Sequence, residues 1–105
     1  MSCSGLFRVL EAEKLRSVDS VVASCLRVVD AFCRYLGGDF QDLDMDYSAM
    51  ELTVEYDFPM RVCAEKAAKA IKTCLEELYG VKASYAVFEK NGLWILTLKI
   101  RFTGF

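Results

Sequence analysis

The sequence predicts an α+β fold, a two-layer sandwich in which two main helices pack on one face of a mixed sheet of three or four strands. Three observations carry this. Two long segments repeat apolar side chains at helical spacing. One segment between them alternates apolar and polar residues. Two β-rich runs at the end are joined by Asn91-Gly92. The order reads α-β-α-β-β, or β-α-β-α-β-β if the first residues form a strand. A chain of 105 residues, 54% hydrophobic and with one proline, is expected to form a single domain over 1–105 with one core.

The first helix is predicted over 18–36. Val18, Val21, Val22, Cys25, Leu26, Val29, Phe32, Cys33 and Leu36 form one broad apolar face. Ser17 is a suitable N-cap, and Gly37-Gly38 supplies the left-handed exit. The second helix is predicted over 60–79. Pro59 precedes it, and Met60, Cys63, Ala64, Ala67, Ile71, Cys74, Leu75 and Leu78 line one face. Gly80 ends it. Residues 50–58 alternate strictly, as a half-buried strand with an acidic outer face does.

The Asn-Gly pair fixes the register of the last hairpin, 81–90 with 93–103. Val87 then meets Leu96, Tyr85 meets Leu98, Ala83 meets Ile100 and Val81 meets Phe102. This uniformly apolar set is expected against the helices. Phe88 faces Ile95, Ser84 faces Lys99, Lys82 faces Arg101 and Lys90 faces Leu93 on the open side. Two segments read less simply. Residues 5–15 suit a helical lead-in or a strand. Residues 38–49 carry Leu43, Met45 and Tyr47 between Asp42, Asp44 and Asp46, in a phase opposite to 50–58. A bulge near Ser48-Ala49 would join both into one long strand, and an acidic loop is the alternative. The strand–helix–strand unit over 50–90 is expected to cross over right-handed.

Composition narrows the function classes. Thirteen Lys and Arg stand against fifteen Asp and Glu, and no basic excess marks a phosphate-backbone binder. The absence of His removes the commonest general base and transition-metal ligand. Neither a secretory leader nor an apolar run of membrane-spanning length is evident, so a cytoplasmic protein without a membrane partner is expected. One Asn and one Gln hint at a thermophilic source. Asp42, Asp44 and Asp46 have the spacing that opens a calcium loop, but Tyr47 and Thr53 occupy positions needing Gly and Glu. No metal or cofactor is expected. Glu51, Glu55 and Asp57 share one strand face, which reads as solvated rather than catalytic.

Five cysteines lack close pairs. Cys25 and Cys33 on one helix, and Cys63 and Cys74 on the other, read first as small core residues. One structural disulfide between the helices is the second reading, with these four as its candidate participants.

The surplus apolar side chains are the most informative feature. Phe88, Leu93, Trp94 and Ile95 gather at the hairpin tip, with Phe102 and Phe105 near the chain end. Exposed apolar clusters mark interaction sites. The sequence therefore reads as a non-enzymatic protein-interaction or assembly domain, forming a homo-oligomer or binding a protein partner. A small ligand-binding or enzyme domain is a further alternative. With residues 5–11 as a strand, the order β-α-β-α-β-β is similar to the topology of Alba-type chromatin and RNA-binding proteins. That resemblance implies nucleic-acid contacts at Lys82, Lys90, Lys99 and Arg101.

Overall fold

The structure, a computed structural model, describes residues 18–102. Expectations for 5–15, Ser17 and Phe105 fall outside the described residues. The elements are α1 (Val18–Tyr35), β1 (Asp39–Asp46), β2 (Glu51–Phe58), α2 (Arg61–Tyr79), β3 (Lys82–Lys90) and β4 (Leu93–Arg101). Two helices cover one face of a four-stranded sheet, the two-layer sandwich expected. The strand order is β1-β2-β4-β3, and every neighbouring pair is antiparallel. The sheet is thus not mixed. β2 and β3 do run parallel, but β4 is inserted between them, so they share no hydrogen bonds.

Residues 39–46 form a strand of their own. They are neither an acidic loop nor the start of one long bulged strand. The Asp46 carboxylate accepts hydrogen bonds from the Ser48 amide at 3.0 Å, the Ser48 hydroxyl at 2.6 Å and the Ala49 amide at 3.2 Å. Met50 takes φ +52°. An Asx-type turn followed by a left-handed residue reverses the chain. The opposite phases of the two segments are those of two strands of one hairpin. A bulge does occur, but at the far end of β1, where the register slips between Phe40 and Asp42. The second hairpin has the register that Asn91-Gly92 dictates, with φ +53° and +81° as a type I′ turn requires.

The element order therefore repeats: helix, hairpin, helix, hairpin. The β2–β4 ladder is centred on Val54 opposite Leu98. Leu52 stands opposite Ile100 on one side of that pair, and Tyr56 opposite Leu96 on the other. An approximate two-fold axis through the centre exchanges the two halves. Leu52, Val54, Tyr56 and Phe58 correspond to Leu96, Leu98, Ile100 and Phe102, and all eight are buried. They meet Val21, Cys25, Val28, Val29, Phe32 and Cys33 of α1 and Ala64, Ala67, Ala68, Ile71 and Leu75 of α2 in one core.

Helix ends follow the sequence. Gly37 has φ +87°, and the Gly38 amide donates to the Cys33 carbonyl at 2.7 Å, closing α1. Gly38 matters for space rather than for φ. A Cβ there would stand 2.6 Å from Cζ of Phe58, 2.8 Å from its Cε2 and 3.0 Å from the Cys33 carbonyl oxygen. The second helix begins at Arg61, because Met60 is still extended at φ −128°. A hydrogen bond ties α1 to the sheet: the Tyr56 hydroxyl donates to Asp30 Oδ1 at 2.6 Å, and Arg34 donates to the same carboxylate at 2.8 Å.

Two substitutions test this packing. Gly38→Ala is expected to cost about 1–3 kcal/mol, because the Phe58 ring is itself fixed in the core. Chemical denaturation should show a lower midpoint at unchanged slope, and an unchanged midpoint would contradict the contact. Ser24 is 0% exposed, and its hydroxyl has no hydrogen-bond partner among the described residues. The equivalent helix position in the second half is Ala67. Ser24→Ala is therefore expected to leave stability unchanged or raise it by about 1 kcal/mol, as removal of an unsatisfied buried hydroxyl should.

Candidate interaction face

The face of the sheet away from the helices carries no element among the described residues. Strand register sorts its side chains into rows. The first row is Asp46, Glu51, Arg101, Lys82. The second is Asp44, Thr53, Lys99, Ser84. The third is Asp42, Glu55, Thr97, Ala86. The fourth is Asp39, Asp57, Ile95, Phe88, and beyond it Leu93 stands opposite Lys90. Every charged side chain on β1 and β2 of this face is a carboxylate. Every charged side chain on β4 and β3 of this face is a cation. The boundary is bridged in the first row, where Arg101 Nη2 lies 3.4 Å from Glu51 Oε2.

The pseudo-two-fold makes this split more than a matter of composition. Glu55 corresponds to Lys99, Asp57 to Arg101 and Asp39 to Lys82. At these three pairs of equivalent positions the two similar halves carry opposite charge.

The hairpin residues fall as follows. Phe88 is 45% and Leu93 40% exposed, and Ile95 is half-buried, all on the open face. Trp94 does not join them. It stands opposite Phe58 on the helix side, half-buried, with the Arg61 guanidinium 5.3 Å above its ring. Period-two alternation puts neighbours on opposite faces, so Trp94 cannot share a face with Leu93 and Ile95. Phe102 is also in the core, at 2% exposure. Of the four basic candidates, Lys82, Lys99 and Arg101 line one shallow hollow together with Glu51. Lys90 belongs to another, at the hairpin tip, with Gln41, Glu55 and Asp57.

The interhelical segment is a hairpin, not the single strand on which the Alba-like order rests. Asp42, Asp44 and Asp46 project in successive rows rather than converging. Among the described residues, no group of three or more Asp, Glu, Cys or His is placed to hold a metal. No helix among them is long and apolar enough to cross a membrane.

The cysteines divide. Cys25, Cys33 and Cys63 are free thiols, so none of these candidates forms an inter-helix disulfide. Cys74 is disulfide-bonded, and its partner is none of those three. Burial pushes the Cys25 thiol up to about 12. Burial, assisted by the Asp30 carboxylate, pushes Cys33 up to about 12. Both stay protonated and unreactive.

Each edge of the sheet carries a feature that hinders strand addition, along β1 and at Ala83 of β3. β1 presents Asp39, Asp42, Asp44 and Asp46 and carries the bulge. β3 is guarded by α2. Lys72 Nζ donates to the Ala83 carbonyl at 2.6 Å, and the Ala83 amide donates to Glu76 Oε2 at 3.2 Å. Lys72 and Glu76 also pair with each other at 2.9 Å. Both outward-facing backbone groups of Ala83 are thereby occupied. Sequence reasoning missed this device, because no local signal ties two polar residues of a helix flank to the backbone of the strand that follows.

Three carboxylates sit below the usual carboxylate range. Partial burial alone would raise Asp30, but the hydrogen bonds from Tyr56 and Arg34 outweigh it, aided by the Arg34 charge. The Ser48 hydroxyl and the Ala49 amide lower Asp46. Lys72 and the Ala83 amide lower Glu76. A lowered folded-state value gives stability that is present above the unfolded-state pKa and is lost as pH falls through the folded value. The melting temperature should therefore stay level from about pH 8 to 5 and fall below about pH 4, where unfolded carboxylates begin to titrate. Asp30→Asn should flatten part of that fall. A transition centred between pH 6 and 7 would contradict this assignment.

Comparison with protein-family models, with curated protein sequences and with solved structures finds no match to this chain.

Proposed function

We propose that this chain is a non-enzymatic assembly domain that self-associates through the open face of its sheet. The observation that carries this is the open face itself, which no element among the described residues covers, while both edges of the sheet carry features that hinder strand addition. Acids and a bulge protect β1, and Lys72 and Glu76 occupy the outward groups of Ala83 on β3. The open face is itself charged, acidic over β1 and β2 and basic over β4 and β3, and adds an apolar corner of Phe88, Leu93 and Ile95. Half-exposed Phe and Leu beside one another gain from burial against a protein surface. The flat carboxylate rows offer no enclosed pocket that would separate the pKa values of an acid–base pair.

Nucleic-acid binding has weaker support. A phosphate backbone crossing Lys82, Lys99 and Arg101 would also meet Glu51 and the acidic half of the same face.

The test is the solution mass. Light scattering across a concentration series should show a concentration-dependent dimer, and Phe88→Glu with Ile95→Glu should return it to monomer without changing the far-UV spectrum. A wild-type monomer at millimolar concentration would overturn the proposal.

A further inference from the structure

Resting on that reading, we infer that the partner is a second copy of this chain, stacked face to face, with each acidic half on the other's basic half. The two-fold axis of this pair runs parallel to the strands, along the boundary between β2 and β4. Shape alone does not choose this arrangement. The two halves of the sheet are related by the pseudo-two-fold at Val54 and Leu98. A second copy turned about an axis parallel to the strands, or about one perpendicular to them, therefore meets nearly the same surface relief.

Charge separates the two. Turning about the perpendicular axis lays β1 and β2 on their own copies with the rows reversed. Asp44 then faces the partner's Asp42, Asp46 the partner's Asp39 and Glu51 the partner's Asp57, while Lys99 and Arg101 face the partner's Thr97 and the partner's Ile95 and meet no carboxylate. Turning about the parallel axis lays β1 on the partner's β3 and β2 on the partner's β4. Glu51 then faces the partner's Arg101, and Asp46 faces the partner's Lys82. Like charges brought together across an interface are strongly disfavoured, whereas complementary ones steer encounter and fix register. The arrangement is isologous and closes at two copies.

The size of the face sets the strength. Four strands about 4.8 Å apart and about 3.4 Å per residue present roughly 500–600 Å² on each copy. A buried total near 1,000 Å² is at the lower bound for a specific interface. The dimer is therefore weak and salt-dependent, and raising ionic strength from about 0.05 to 0.5 M should weaken it on the order of tenfold by screening.

Ile95 supplies a test that depends on orientation. It lies in the row of Asp57, on the opposite side of the boundary, so in the parallel-axis pair it faces the partner's Asp57. Ile95→Glu should abolish the dimer, whereas Ile95→Lys should preserve or tighten it. Carbodiimide coupling of a mixed ¹⁵N-labelled and unlabelled sample should yield intermolecular Asp46–Lys82 links, since a zero-length reagent joins only touching groups. If Ile95→Lys and Ile95→Glu weaken a wild-type dimer equally, and no Asp46–Lys82 link forms, the arrangement is wrong while self-association stands. A wild-type chain that is monomeric at all concentrations overturns both.

Discussion

The antiparallel ladder between β2 and β4 is the interaction on which the rest of the molecule depends. It is wholly long-range, joining residues 51–58 to 94–101. Once Val54 stands opposite Leu98, alternation assigns every side chain of both strands to a face. Leu52, Tyr56, Phe58, Leu96 and Ile100 go to the core, and Glu51, Glu55, Asp57, Lys99 and Arg101 go to the open side. A slip of one residue would bury three carboxylates and expose four large apolar side chains. The flanking hairpin strands, β1 and β3, then add to the outer sides of this pair, and each helix covers the hairpin that follows it in sequence.

The inserted position of β4 is what puts Lys99 and Arg101 next to the acidic strands. Had β3 lain beside β2, the cationic residues of β4 would have been at an edge. As folded, acids and cations meet along a seam through the middle of the sheet. Glu51 and Arg101 bridge that seam. Glu51 shares a row with Arg101, and Asp46 with Lys82, so that end of the face is complementary to itself when turned about its own strand direction.

The two edges show how one helix can serve two purposes. α2 buries Ala64, Ala67, Ala68, Ile71 and Leu75 on its inner side. At its flank, Lys72 and Glu76 reach the backbone of Ala83. The first half has no such flank, because Val29 and Cys33 occupy the equivalent helix positions and are buried. There, aspartates on the strand itself keep other strands away. α1 also covers its hairpin less fully, so Phe40 and Leu43 on the helix side of β1 remain 49% and 43% exposed.

The sequence by itself determined both helices to within a residue or so, the alternating strand at 51–58, and the final hairpin with its register and its core-facing side. These rest on short-range physics: helical spacing, a glycine exit, and a two-residue turn that permits one pairing. Most of the open-face chemistry was legible with them, since Phe88, Ile95, Lys99 and Arg101 follow from that register. Asp46 and Ser48 carried a local turn signal for the first hairpin, but the inverted phase of Leu43 and Met45 masked it. Trp94 was misplaced by nearness in sequence, although its odd step from Leu93 and Ile95 already put it on the other face. Only the tertiary structure decided that β4 lies between β2 and β3, that acids and cations share one surface, and that Lys72 and Glu76 close an edge. Those outcomes depend on which distant segments become neighbours, and that is set by the shared core rather than by any local run of residues.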